Sequence, residues 1–105
     1  MILELAILDV RSGQGREFEA AFAEAQAIIA SMAGYLGHEL RRCVEVADRY
    51  VLLVRWRDIL DHEVGFRKSP EYEQWKRLLH HFYEPFPKVE HYQLVESESG
   101  GQMSP

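Results

Sequence analysis

Five histidines are spread along the chain. Histidine is the side chain best suited to proton transfer near neutral pH. Two of them, His80 and His81, stand side by side in "KRLLHHFYEPFPKVEHY", and His91 lies ten residues further on. A metal site, an acid–base site and the exposed end of a helix are the readings this stretch invites. Metal ligation fits poorly. Adjacent helical positions point apart, so the pair cannot chelate one ion. No HExxH, CxxC or carboxylate cluster accompanies any histidine, and the single Cys43 supplies no thiolate set. With Trp75 at the centre of the apolar stripe, helical geometry puts both histidines on the polar side with Glu73, Gln74 and Arg77. As cations there they would favour a helix C-terminus by about 0.3–1 kcal/mol. The pair is therefore expected at an exposed helix end.

His62 has a different setting. It shares a helical stripe with Ile59 and Phe66, which directs it between helix and sheet, although Leu60 and Val64 blur that face. Two roles fit it: a structural histidine at the helix–sheet seam, and a general base. His38 shares a strand face with Leu40, and His91 shares one with Val89 and Val95; either could face a pocket or a subunit interface. Trp56, Phe66, Tyr72, Trp75 and Phe82 are core residues by their spacing, and equally they could wall a pocket for an aromatic ligand. Arg41, Arg42, Arg55 and Arg57 are expected to be solvated or paired with Glu39 and Glu45 across a hairpin. Arg55 is the one assigned to an anionic substrate. Cys43 reads as a small apolar strand residue.

The elements that must position these residues follow from periodicity. "ILELAILDV" (Ile2–Val10) is a strand, with Ile2, Ala6, Leu8 and Val10 on one face and Leu3, Leu5 and Ile7 on the other. Both faces need cover. After the turn "RSGQG", Phe18, Ala21, Phe22, Ala25, Ile28, Ile29 and Met32 mark an amphipathic helix of about five turns, stopped at Gly34. "GHELRRCVEV" and "RYVLLVRWR" are two strands joined by a hairpin turn. Asp58 caps a short helix from Ile59 to about Arg67. Ser69 and Pro70 start a second helix, which Pro85 and Pro87 end. "KVEHYQLVE" (Lys88–Glu96) is the last strand.

The order β-α-β-β-α-β predicts an α+β, ferredoxin-like domain over residues 1–96. It has a four-stranded antiparallel sheet with its helices on one face. Residues 97–105 form a tail without core-forming residues. The uncovered apolar face predicts a homodimer through the sheets. The chain has 105 residues with 47% hydrophobic side chains, enough for one core. A net charge of −5 and no basic patch argue against a nucleic-acid partner. No apolar run approaches the ~20 residues of a membrane span, and no signal peptide is recognised. A soluble cytoplasmic protein is expected.

Three stretches carry a family resemblance: "GYLGHELRR" (Gly34–Arg42), "DRYVLLVRWRD" (Asp48–Asp58) and "HEVGFRKSPEYEQW" (His62–Trp75). Their ordered combination resembles the antibiotic biosynthesis monooxygenase domain over roughly residues 1–95. The resemblance implies a dimeric α/β barrel formed by two ferredoxin-like sheets packed face to face. It also implies a range of activities: oxygenases acting on polycyclic phenols and quinols with no metal, flavin or haem, haem-degrading enzymes, and proteins handling small signalling molecules. The haem-degrading branch uses an Asn on strand one, then a Trp and a His. Ala6, Phe66 and Trp75 occupy those places here; Ala6 cannot donate a hydrogen bond and Trp75 cannot ligate iron.

The expectation is thus a cofactor-independent monooxygenase acting on an aromatic or quinol-type small molecule. His62 would be the base, and Trp56, Phe66, Tyr72, Trp75, Phe82 and Arg55 would contact substrate. A non-catalytic binding or stress-response dimer, and a non-oxidative isomerase, are the alternatives on the same scaffold.

Overall fold

Strand alternation sets up the domain. In β1 (Ile2–Asp9) every second side chain from Glu4 onward is buried, and in β3 (Arg49–Trp56) Tyr50, Leu52, Val54 and Trp56 are all buried. These inward series lie on the same face because β1 and β3 pair antiparallel, with Ala6 opposite Leu52 and Glu4 opposite Val54. β2 (Tyr35–Arg42) and β4 (Val89–Tyr92) complete a sheet of order β2-β3-β1-β4. The computed structural model describes residues 1–97 of the chain. All but the first residue of the expected 97–105 tail lies outside the described residues.

Two helices cover one face. α1 (Gly15–Ala30) buries Phe18, Phe22, Ala25 and Ile29. α2 (Pro70–Leu79) buries Trp75 and Leu79, and its cap is the expected one: the Ser69 side chain accepts from the Tyr72 N–H, with Pro70 in the first turn. Trp56, Phe18, Phe66, Ile29, Leu79 and Val54 are the largest fully buried side chains. Full burial of such a residue contributes roughly 1.5–3 kcal/mol. The architecture is the ferredoxin-like α+β fold, one sheet with its helices on one side.

The opposite face carries Leu3, Leu5, Ile7, Val51 and Leu53, which are half-buried or exposed. No helix among the described residues is long and apolar enough to cross a membrane.

Several boundaries differ from the sequence expectation. β2 is Tyr35–Arg42 rather than "GHELRRCVEV", and Cys43 lies just past its end. α1 stops at Ala30 with Ser31 as its cap. Gly34, at φ +83°, instead turns the chain into β2, where an added Cβ would collide with the Asp61 carboxylate. The expected short helix after Asp58 is wound as a π-helix over Asp61–Phe66, with the Arg67 N–H bonded to the His62 carbonyl five residues back. α2 ends at Leu79, and the chain tightens into a 3-10 turn, His80–Phe82, ahead of either proline. The last strand is four residues rather than Lys88–Glu96. Among the described residues it pairs only with Leu3–Ala6 of β1, with no pairing partner beyond Tyr92.

Candidate active site

The inward face of β1 contains one charged residue, Glu4, and only 5% of its surface is exposed. Carboxylates are almost never buried this deeply without partners. Glu4 has two. The Trp56 indole N–H donates to its Oε1 at 2.9 Å, and His62 Nε2 lies 3.3 Å from the same oxygen. Neither contact engages Oε2.

His62 and Phe66 are the two buried residues of the π-helical turn Asp61–Phe66; such turns recur at functional sites. The His62 ring stacks on Trp56 with centroids 5.4 Å apart and planes 24° apart. Its other nitrogen, Nδ1, lies 2.7 Å from His91 Nε2. His91 arrives from β4, where it stands directly across from Glu4 in the ladder. Glu4, His62 and His91 thus stand in one row, with His62 and His91 hydrogen-bonded and His62 in a longer polar contact with Glu4.

The surroundings pull the two central groups apart in acidity. Burial pushes the Glu4 carboxyl up to about 7, outweighing the opposing effects of the Trp56 hydrogen bond and the Arg67 charge. Burial pushes His62 down to about 3, with the Arg67 and His91 charges acting in the same direction. At neutral pH His62 is therefore a neutral imidazole, and Glu4 is divided between its acid and carboxylate forms. A group that gains and loses a proton near the working pH is what general acid–base catalysis needs.

Glu4 and His62 open onto a cavity of about 50 Å3. Its floor is Ala6, Leu8, Leu52 and Val89 of the sheet. Its sides are Phe66, Tyr72, Trp75 and Tyr83, and His80, Phe86 and Pro87 stand towards solvent. By the criterion of one water per 10–15 Å3, this is room for about three to five waters. Burial raises the Tyr83 phenol far above its ordinary value, so it is a hydrogen-bond donor at any physiological pH.

Residues 1–78 match the family model described as antibiotic biosynthesis monooxygenase. The chain belongs to that family. It is 50% identical over 95 residues to the uncharacterized protein YczJ of Bacillus subtilis (strain 168), a match covering 90% of this chain and 100% of YczJ. Among solved structures, a Bordetella bronchiseptica protein described as a candidate antibiotic biosynthesis monooxygenase superposes with a TM-score of 0.87 at 34% identity, over 90% of this chain and 97% of that one. SnoaB, a cofactor-independent oxygenase from Streptomyces nogalater, superposes with a TM-score of 0.66 at 22% identity, over 96% and 97% of the two chains. At that identity the likeness speaks for the fold alone.

Within this antibiotic biosynthesis monooxygenase domain, the residues singled out by sequence fall into four places. His62, Phe66, Tyr72 and Trp75 converge on the cavity. Trp56 lies behind it, under the His62 ring, and acts on the site through Glu4 rather than as a wall. Phe82 packs away from the cavity against Phe18, with centroids 5.7 Å apart. Arg55 is on the other face of the sheet. The alternation that turns Val54 and Trp56 inward turns Arg55 outward, where it lies 3.9 Å from Glu39 and beside Leu3 and Tyr92.

The histidine pair also divides. His81 is exposed, as expected. His80 is not on the polar side: it lines the cavity and packs edge-on against Tyr72 and Phe86. The change from α to 3-10 winding after Leu79, to about three residues per turn, breaks the phase on which the sequence placement relied. Burial, with the Lys76 charge adding to it, lowers the His80 pKa. Among the described residues no three His, Cys, Asp or Glu side chains are arranged to hold a metal ion.

Sequence reasoning missed Glu4. Its signal was available: a carboxylate in the alternating series Ile2, Glu4, Ala6, Leu8, Val10, which faces the helices. Tyr83, Phe86 and Arg67 carried no comparable signal: the 3-10 turn and the proline segment bring Tyr83 and Phe86 to the cavity, and Arg67 reaches it from the end of the π-helical turn.

Proposed function

We propose that this protein is a cofactor-independent monooxygenase acting on a small phenolic or enolic compound, with Glu4 as the base and His62 as the group that positions it. The observation that carries this reading is the Glu4 carboxyl, buried among aromatic walls with its acidity tuned to about 7. Glu4 takes the role that spacing suggested for His62, since an imidazole that protonates only near pH 3 is too weak a base at neutral pH.

The reaction balances without a resident redox group. Glu4 removes a proton from an activated CH2 flanked by a carbonyl or phenol, leaving an electron-rich anion. The anion passes one electron to dioxygen, and the resulting substrate radical and superoxide combine to a peroxide anion. That anion takes the proton back from Glu4, and loss of water leaves a carbonyl where the CH2 stood. One oxygen atom enters the product and the other leaves as water. A dry pocket favours each charged step by excluding competing solvent, and the Tyr83 hydroxyl is a donor for developing negative charge.

The cavity of about 50 Å3 selects among substrates. Ligand pockets for drug-sized molecules run to roughly 300–1,000 Å3, so single-ring substrates fit better than polycyclic ones. Oxygen consumption over a panel of single-ring and polycyclic quinols and enols, with anaerobic controls, tests the reading. The expected product gains one oxygen and loses two hydrogens, with single-ring compounds turned over fastest. Absence of protein-dependent uptake on every compound would sink it. The Glu4–His62 pair is equally equipped to move a proton without oxygen. Turnover that survives anaerobic conditions with no change in mass would identify an isomerase, and binding without turnover a non-catalytic module.

The same proposal includes a homodimer through the open sheet face. The support is Leu3, Leu5, Ile7, Val51 and Leu53, which form an apolar surface with no helix over it among the described residues. Sedimentation at micromolar concentration is expected to give a dimer, and Leu53→Asp a monomer. A monomeric parent protein would remove this part of the reading.

A further inference from the structure

The row Glu4–His62–His91 admits two arrangements of its protons, and the difference between them is one proton. In the first, the Glu4 carboxyl is protonated and donates to His62 Nε2, while His62 Nδ1–H donates to His91 Nε2. In the second, Glu4 is a carboxylate that accepts from His62 Nε2–H, while His91 Nε2–H donates to His62 Nδ1. The 2.7 Å bond between the rings serves both, because an imidazole nitrogen donates or accepts according to its tautomer; the 3.3 Å contact between His62 Nε2 and Glu4 Oε1 must close by a few tenths of an ångström to pass a proton. His91 is half-buried, whereas Glu4 and His62 are buried, with 5% and 3% of their surfaces exposed. The row therefore runs from the cavity outward.

We propose that His62 and His91 form the proton exit of the buried carboxyl, and that the two imidazoles change tautomer together when Glu4 ionises. Going from the first arrangement to the second, the Glu4 proton passes to His62 Nε2. The His62 Nδ1 proton passes to His91 Nε2, and the proton on His91 Nδ1 leaves to solvent. One proton is released, no electron moves, and both rings end as neutral Nε2–H tautomers. The base is thus recharged from behind, without opening the cavity in front of it.

The groups facing this row are few and named. From β3 the Trp56 N–H holds Glu4 Oε1, and from the end of the π-helical turn the Arg67 charge acts on both Glu4 and His62. From α2 and the segment after it, Tyr72, His80 and Tyr83 border the same cavity. Trp56 and Arg67 bias the equilibrium towards the carboxylate arrangement, and burial biases it towards the acid.

The proposal rests on Glu4 as the titrating group and not on oxygen chemistry, so it is tested without turnover. The full chain is labelled with 15N at histidine, and the two ring nitrogens of His62 and His91 are followed by NMR across neutral pH. The expected result is a shift of both rings from Nδ1–H to Nε2–H with one common midpoint near 7. Glu4→Gln, close in shape and unable to ionise, is expected to abolish the shift in both rings. His91→Leu, at a half-buried strand position that leaves the core intact, is expected to move the His62 midpoint by about half a pH unit or more. A fixed tautomer in either ring, two separate midpoints, or a His62 shift that survives Glu4→Gln or is unmoved in His91→Leu overturns it. If the row behaves as expected and no quinol is oxidised, the oxygenase reading fails alone.

Discussion

The groove between α1 and β2 has a volume of about 550 Å3, whereas the cavity beside His62 has about 50 Å3. Both lie between the helices and the same face of the sheet, and both are bordered by a carboxylate, a histidine and a tyrosine. In the larger one the charges neutralise each other. Arg42 donates to Glu19 Oε2 at 2.6 Å, and the Tyr50 hydroxyl donates to the same oxygen at 2.6 Å. These bonds hold the Glu19 carboxyl below its ordinary range, so it carries no exchangeable proton near neutral pH. His38 is engaged on both nitrogens, by Tyr35 and by Gln26. In the smaller recess the balance is reversed: burial outweighs the donors, and Glu4 is displaced upward. Volume follows access to solvent; the direction in which a carboxyl is displaced shows where a proton can be held and released.

The widest expected separation between the two recesses is in turnover. Glu4→Gln keeps the Trp56 hydrogen bond and removes the base. It is expected to lower kcat for oxygen consumption by about 10²–10⁴-fold, the usual contribution of a positioned base. Glu19→Gln and Gln26→Ala in the groove are expected to leave it within about twofold, as altered polar contacts far from the reacting atoms. Equal losses at both places would erase the distinction.

Stability against pH separates them next. Glu4 is raised from 4.5 to about 7 in the folded protein, so the folded state holds the proton more tightly than the unfolded chain. Its contribution is full below pH 4.5 and is lost as pH rises to about 7, roughly 3 kcal/mol in all. His62 is lowered from 6.5 to about 3. Its contribution is full above pH 6.5 and is lost as pH falls to about 3, roughly 5 kcal/mol in all. Between pH 4.5 and 6.5 the two slopes oppose, and urea denaturation is expected to give a nearly flat stability there, with a steep fall below. Glu4→Gln removes one slope, so stability should then climb by about 1.4 kcal/mol per pH unit towards 6.5. Superimposable curves for parent and variant would show that Glu4 is not displaced upward.

Much of this was legible in the sequence. Alternation in β1 and β3 and the stripe Phe18, Phe22, Ala25, Ile29 are periodic signals, and periodicity survives into the fold. The inward setting of His62 was legible for the same reason. Legibility ended where the winding changes. Nothing in "DHEVGF" or "LLHHF" distinguishes π or 3-10 winding from α, and His80, at the start of the 3-10 turn, lines the cavity instead of the polar side. Arg55 shows the other limit. Its charge suggested a substrate contact, but strand parity, which the sequence also contained, puts it on the far face with Glu39.

The smallest effect lies in the groove, at Tyr50. Its ring is buried against Phe18, with centroids 4.9 Å apart, and Tyr50→Phe keeps that packing. What is lost is the hydroxyl bond to Glu19. Glu19 keeps Arg42 and faces solvent, so no buried charge is left unpaired, and the cost should be that of one hydrogen bond, about 1 kcal/mol. For a domain of this size that corresponds to a fall in Tm of about 4–8 °C. Oxygen consumption should not change, because Tyr50 is on the β2 side of the sheet and borders the groove rather than the cavity. A fall in kcat of tenfold or more, with Tm barely moved, would reverse the assignment. It would mean that the groove with the volume is the one with the chemistry, and that the Glu4–His62–His91 row is a buried structural clamp.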